Sequence, residues 1–388
     1  MDRVFDPYDP AHLVDGVPFQ LLADLRSQCP VSKTANGAWY LSKRADAEAA
    51  LKDVDGFRAD LGPITGLPGF EAIPDDQLFL SELMEPRHGQ VRRIYNACFG
   101  PHRVREAEPT VRAICDELLE PMVGTDADLA MYAAPIPGRV IAHLMDLPAE
   151  TADLFMQWSA EGTLMTRPAT PGIDGPPIHT WFAGLVRQQR VEPTNHIFRL
   201  LLEAEVEGAP LTDTEIVTHL HFMVMAGVHT TRGLLTHVVQ RVAMEPALFA
   251  QLGDDRSLVP TYVEESLRHD APVQRTTRRV MRPAEVGGIT IEPGEWVEVG
   301  VASANRDEAL YDDPESFRLD RPEPRDHLAF GAGSHVCPGA TLARLEAVAA
   351  VEAMLDRVAS IELVDGAVYP PVPGNLGHAP IPVRLVRR

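Results

Sequence analysis

Helical periodicity runs through most of this chain, and it limits the fold more than any other property of the sequence. Apolar residues recur at helical spacing over 18–29, 45–52, 103–120, 150–165, 178–203, 211–244, 246–252, 259–269 and 339–357. Strand-like segments are short: 38–41, 285–301 around a Gly287–Gly288 turn, 360–370 and 380–386. The pattern predicts a mainly α architecture with a small β lobe. No repeat and no linker-like charge run divides the sequence, so residues 1–388 read as a single domain. Two irregular stretches, 56–87 and 165–177, are rich in Pro and Gly, and loops of that length inside a compact domain are usually functional or disordered.

Charge and cysteine usage narrow the function. Lys and Arg number 35 against 56 Asp and Glu, a net charge of −21, which argues against an extended nucleic-acid surface. The four cysteines, at 29, 98, 115 and 337, form no C-x-x-C pair, so a disulfide framework is not expected and the chain reads as intracellular. The start M-D-R-V-F-D-P lacks the basic and apolar regions of a signal peptide. No stretch approaches the roughly 18 apolar residues of a membrane span. A cytoplasmic, monomeric protein is the expectation, with neither a nucleic acid nor a membrane as partner.

The stretch F-G-A-G-S-H-V-C-P-G-A-T-L-A-R-L-E at 330–346 carries the most chemistry. It places Cys337 after a glycine-rich turn and directly before a helix, where backbone N–H groups and the positive helix end favour the thiolate. Gly331, Gly333 and Gly339 permit backbone conformations or close approaches that a Cβ would block. A flat ligand lying against the turn would account for them. For a lone cysteine, a buried structural role is the commoner reading.

The whole pattern resembles the haem-binding signature of the cytochrome P-450 superfamily, F-x-x-G-x-x-x-C-x-G-x-x-x-A, at Phe330, Gly333, Cys337, Gly339 and Ala343. It is most similar to the soluble bacterial members. The resemblance implies the cytochrome P-450 fold, a haem b (iron protoporphyrin IX) cofactor, and Cys337 as the thiolate ligand of the iron. It also implies that Phe330 shields the sulfur and that His335 reaches a haem propionate. H-G-Q-V-R at 88–92 puts His88 and Arg92 on one helix side, and in family position both hold a propionate, together with Arg278 from the strand after P-V-Q-R. Glu265 and Arg268 stand at i, i+3 and can pair. With Arg321 they match the family's structural ion-pair triad, which serves folding and haem retention.

Within the long helical segment, Ala226, Gly227 and Thr230 fall on one face. A glycine inside a helix costs up to about 1 kcal/mol relative to alanine, so it usually has a packing or functional reason. The resemblance assigns this face to oxygen activation, with Gly227 leaving room for dioxygen and the Thr230 hydroxyl assisting protonation. His229 stands where the family pattern has Asp or Glu. It is either a proton relay, since imidazole titrates near neutrality, or a histidine bonded to a neighbouring helix. His219 and His221, at i, i+2, point to different faces and read as core or surface residues.

The implied activity is that of a monooxygenase inserting one oxygen atom from O2 into an apolar small molecule, in bacterial secondary metabolism or catabolism. An alternative is oxidative C–C or C–O coupling or ring formation by the same haem without oxygen rebound. The resemblance gives the irregular stretches a job, 57–85 as the roof of the haem pocket and 165–178 as a lid connector. Phe222, Met223, Ala226, Val273, Gln274 and the turn at 374–378 are the expected substrate-pocket residues. No flavin or ferredoxin motif is present, so electrons are expected from a separate ferredoxin and ferredoxin reductase. Arg92, Arg93, His102, Arg103, Arg105 and Arg344 are the candidates for a local basic patch to receive the ferredoxin.

Overall fold

The computed structural model describes residues 4–13, 15–62, 73–168, 175–365, 367 and 380–388. The chain forms two compact units, one of Met1–Phe57, Val111–Ile136 and Thr230–Arg388, the other of Arg58–Thr110 and Pro137–His229. Helices dominate and the sheets are small, as the periodicity predicts.

In the first unit, four strands of the main sheet run in the order Val31–Lys33, Trp39–Leu41, Trp296–Val299, Thr276–Val280. The central pairing, Val297 with Trp39 through Val299 with Leu41, is parallel and its flanking pairings are antiparallel. Alternate residues of these strands, Val31, Leu41, Val297, Val299 and Val280, point into a core that Ala47 and Leu51 of the helix Arg44–Lys52 complete. The strand-like segment over 285–301 turns at Gly287–Gly288 as expected, pairing Ala284–Val286 with Ile289–Ile291, then continues as the separate strand Trp296–Val299 and ends in a short helix, Val301–Ala304. A second, three-stranded sheet joins Val358–Leu363, Pro382–Arg387 and Asp126–Asp128. The helices Val259–His269 and Ala340–Arg357 pack on each other and carry Glu264, Glu265, Arg268 and Arg344.

The second unit is helical, built on Arg87–Phe99, Thr151–Ala160, Pro177–Val191 and His196–Leu202 around the buried rings of Tyr95, Phe155, Phe182 and Phe198. The single helix expected over 178–203 is two. The break falls at E-P-T-N, where Pro193 cannot continue the first helix and the Asn195 side chain caps the second by accepting from Phe198 N–H. The long helix spans Asp213–Met244, 32 residues, or about 48 Å at 1.5 Å per residue. No helix among the described residues is long and apolar enough to cross a membrane.

Candidate functional site

The cysteine loop is shaped by two left-handed glycines, Gly331 at φ +75° and Gly333 at φ +72°. They fold the chain back so that Cys337 N–H donates to the Phe330 carbonyl at 2.9 Å and Val336 N–H to Gly333 at 3.2 Å. Gly333 is also a close-approach site, since a Cβ there would stand 3.2 Å from Lys52 Cα and 3.3 Å from the Leu51 carbonyl. The helix Ala340–Arg357 begins three residues past Cys337, with Gly339 as its N-cap. Cys337 is exposed, whereas Cys98 and Cys115 are buried and burial pushes both thiols up to about 12. Cys29 is exposed as well but caps the C-terminal end of the helix Phe19–Gln28. Of the four cysteines, Cys337 alone combines exposure with a place next to the start of a helix, the setting that favours a thiolate ligand.

Arg278 supplies the fit test for an anionic cofactor. It is 7 % exposed, and its Nη1 donates only to Thr276 Oγ1 and the Thr277 carbonyl, at 3.0 and 2.8 Å. Among the described residues no carboxylate pairs with it, and burial draws its pKa down to about 10. A buried guanidinium without a counter-ion is costly. A haem propionate would supply that counter-ion. The neighbouring Arg279 lies on the opposite strand face, stacked 4.0 Å over Trp296, so of the two it is Arg278 that is buried. His335 closes the short 3-10 turn Gly333–His335 in the cysteine loop. In the second unit, His88 is 2 % exposed with Nδ1 2.8 Å from Glu85 Oε1, and Arg92 Nε donates to Asn96 Oδ1 at 3.1 Å.

Along the middle of the long helix, Phe222, Ala226, Gly227 and Thr230 are half-exposed between fully buried neighbours, so these four share an open face as the spacing requires. Met223 is buried, and Val273 and Gln274 are half-exposed. Gly227 has a packing reason that the sequence did not disclose: a Cβ there would meet Ile141 Cδ1 at 2.7 Å, on the helix Pro135–Leu144. His229 is bonded to a neighbouring helix, its Nε2 2.8 Å from Ser159 Oγ on Thr151–Ala160. His219 and His221 are core residues. His219 packs edge-on against Tyr95, and His221 is held between His179 Nε2 at 2.8 Å and the Leu164 carbonyl at 2.9 Å.

Glu265, Arg268 and Arg321 meet as expected. Arg268 grips both Glu265 oxygens at 2.7 Å and Arg321 Nε adds a third contact at 3.0 Å, all buried. Burial alone would raise the Glu265 carboxyl, but the bonds and charge of Arg268 hold it below the usual range. The two arginines spend their remaining N–H groups on carbonyls of Asn305, Pro314 and Ser316 and of Asp312, Asp313 and Ser316.

Three polar residues escaped the sequence reading. Ser159 carries no motif at all. Glu82 forms a buried ion pair with Arg167, Oε2 to Nη1 at 3.0 Å, which ties the expected roof segment to the expected lid connector. Glu264 binds Arg344, and the E-E doublet at 264–265 was its only signal. Much of the proposed basic patch is already partnered: Arg103 and His102 share Glu106 at 3.0 and 3.4 Å, and Arg93 donates to the Gly89 carbonyl. The turn at 374–378 and the stretches 63–72 and 169–174 of the two loops lie outside the described residues.

Comparison with known proteins agrees with this geometry. The family model for cytochrome P-450 matches residues 250–362, which include the triad and the cysteine loop. The erythromycin C-12 hydroxylase of Saccharopolyspora erythraea is 30 % identical over 348 residues, covering 87 % of this chain and 86 % of its own. Cyclomarin C epoxidase of Salinispora arenicola is 31 % identical over 389 residues, covering 95 % and 96 %. The structure of cytochrome P-450 CYP109Q5 from Chondromyces apiculatus aligns over all of both chains with a TM-score of 0.86 at 30 % identity. An α-rich fold, an accessible cysteine ahead of a helix and relatives matched over nearly their whole length lead to one conclusion: the chain belongs to the bacterial cytochrome P-450 monooxygenases, enzymes that hold haem b through a cysteine thiolate.

Proposed function

We propose that Cys337 is the thiolate ligand of the haem and that the enzyme inserts one oxygen atom from O2 into a bulky, mostly apolar small molecule. The observation that carries this reading is the exposed Cys337 sulfur, on a loop closed by its own N–H···O=C bond to Phe330. When bound, the haem supplies the iron at which dioxygen is activated. Around it, Phe330 covers the sulfur, Gly339 keeps the loop free of a side chain, and Arg278, His335, His88 and Arg92 hold the propionates. Arg278, buried without an acid, gives the strongest support for the propionate role. Ala226 keeps the helix face open with its small side chain, Gly227 admits Ile141 against the helix, and Thr230 and His229 move protons there. Phe222, Met223, Val273 and Gln274 border the substrate. Relatives named for erythromycin and cyclomarin C support a large secondary metabolite as the substrate class. A ferredoxin delivers the electrons.

The test is the spectrum of the reduced, carbon-monoxide-bound protein and of a Cys337→His variant that keeps its haem. The parent should show the red-shifted Soret band of a thiolate ligand and the variant should lose it. A red shift that persists in Cys337→His would overturn the assignment. Spin-state titration with macrolides and cyclic peptides then ranks substrates.

A further inference from the structure

Two successive residues of the helix Val259–His269 bury carboxylates, and they serve different partners. Successive helical side chains point about 100° apart, so Glu265 enters the ion-pair triad while Glu264 faces the helix that follows Cys337. Glu264, 4 % exposed, accepts from Arg344 Nε at 2.6 Å and Nη2 at 2.9 Å, a two-pronged grip. His327 Nε2 lies 3.1 Å from the same carboxylate and Arg325 Nε 3.3 Å. Burial would raise the Glu264 carboxyl, yet the hydrogen bonds of His327 and Arg344 hold it down at about 2, so it stays charged at any working pH.

The guanidinium held in this way has a second neighbour. Arg344 Cζ sits 4.5 Å over the Phe330 ring, and the Phe330 carbonyl is the group that receives Cys337 N–H. A cation over an aromatic face is attracted by the ring quadrupole. The contacts therefore run from the Glu264 carboxylate to Arg344, to the Phe330 ring, and on to the backbone of Cys337. Arg344 was expected to be a free docking charge, but its side chain is only 25 % exposed and is clamped on two sides.

We propose that Glu264 and Arg344 are positioning residues that set the electrostatic environment of the Cys337 thiolate, and with it the reduction potential of the haem. This rests on the reading of Cys337 as the haem ligand. Reduction adds one electron to the iron–thiolate unit, so a cation held beside the loop favours the reduced form and Glu264 offsets that cation. Removing each partner therefore acts in opposite directions. Glu264→Gln leaves Arg344 uncompensated and raises the potential. Arg344→Gln removes the cation nearest the cysteine loop and leaves Glu264 to Arg325 and His327, which lowers it. Glu264→Gln/Arg344→Gln restores the charge balance and returns toward the parent.

The experiment is a spectroelectrochemical titration of the four holoenzymes, with the reduced carbon-monoxide spectrum taken on each. The expected result is opposite shifts of about tenfold in the one-electron equilibrium, ~59 mV each, with the thiolate Soret band intact. Arg344→Lys, which keeps the charge but loses the fork, should lie between parent and Arg344→Gln. Potentials that stay together, or that move the same way in both single variants, would overturn the proposal. A parent lacking the thiolate band would instead overturn the Cys337 assignment beneath it.

Discussion

Ser159 Oγ lies 2.8 Å from His229 Nε2, so the histidine that replaces the family's usual acid is fixed by a hydroxyl from another helix. Ser159 is half-exposed and His229 is 7 % exposed, which places the pair across a boundary between solvent and interior. Two residues acting in series should not lose function additively. Turnover should fall severalfold in Ser159→Ala and by about tenfold or more in His229→Ala. The double variant should be no slower than His229→Ala, and steady-state rates of the three variants decide it.

Thr230 shares the half-exposed helix face with Ala226 and Gly227. Thr230→Ala removes the hydroxyl and leaves the helix intact, so reducing equivalents should be diverted to peroxide. The measurement is peroxide and product per electron pair consumed, and equal coupling in parent and variant would refute the role.

Arg278 presents a trade-off between two states. Without the cofactor its buried charge has no acid partner and weakens the fold; with a propionate it is satisfied. Arg278→Met should therefore raise the melting temperature of the apoprotein while speeding haem loss to an acceptor globin by about tenfold, ~1.4 kcal/mol of affinity. A variant that weakens both states equally would point to a packing role instead.

Glu265 neutralises two buried guanidinium groups, so Glu265→Ala strands both. Breaking such a network by removing one partner costs about 3–5 kcal/mol. Urea unfolding of the holoprotein should show a loss of that order.

Glu346, in the helix that follows Cys337, is 1 % exposed, its Oε2 has no hydrogen-bond partner, and burial drives its carboxyl well above the ordinary range. The protonated form is the one the fold favours. Its contribution is complete below the unfolded-state carboxyl pKa and is lost as pH rises through the elevated folded value. Glu346→Gln should match the parent near pH 4.5 and exceed it in urea midpoint at pH 8.

The sequence disclosed what depends on local pattern and hid what depends on distant partners. Periodicity located the long helix and the helix 259–269 because their apolar stripes are regular. The helices Arg87–Phe99 and Pro135–Leu144 escaped the periodicity, the first being largely polar and the second carrying two prolines and a glycine. The strand 31–33 escaped too, and 276–280 was expected only through the resemblance, because three to five residues leave little periodicity to read. At the site, the cysteine loop was legible as one contiguous motif, and the triad only through the family resemblance, since Arg321 lies 56 residues beyond Glu265. Ser159, Glu82 and Ile141 were not, because each acts on a residue 70 or more positions away.

The two turn glycines of the cysteine loop differ in how freely they can drift. Both hold positive φ, but an added Cβ at Gly331 finds nothing nearer than 3.8 Å, whereas at Gly333 it presses on the backbone of Leu51 and Lys52. Asn or Asp, which tolerate left-handed backbone, can therefore stand at 331. At 333 any side chain adds to the left-handed backbone a contact that the main chain of Leu51 and Lys52 must relieve by a few tenths of an ångström, so a mutational library built around this loop can be wider at one turn position than at the other.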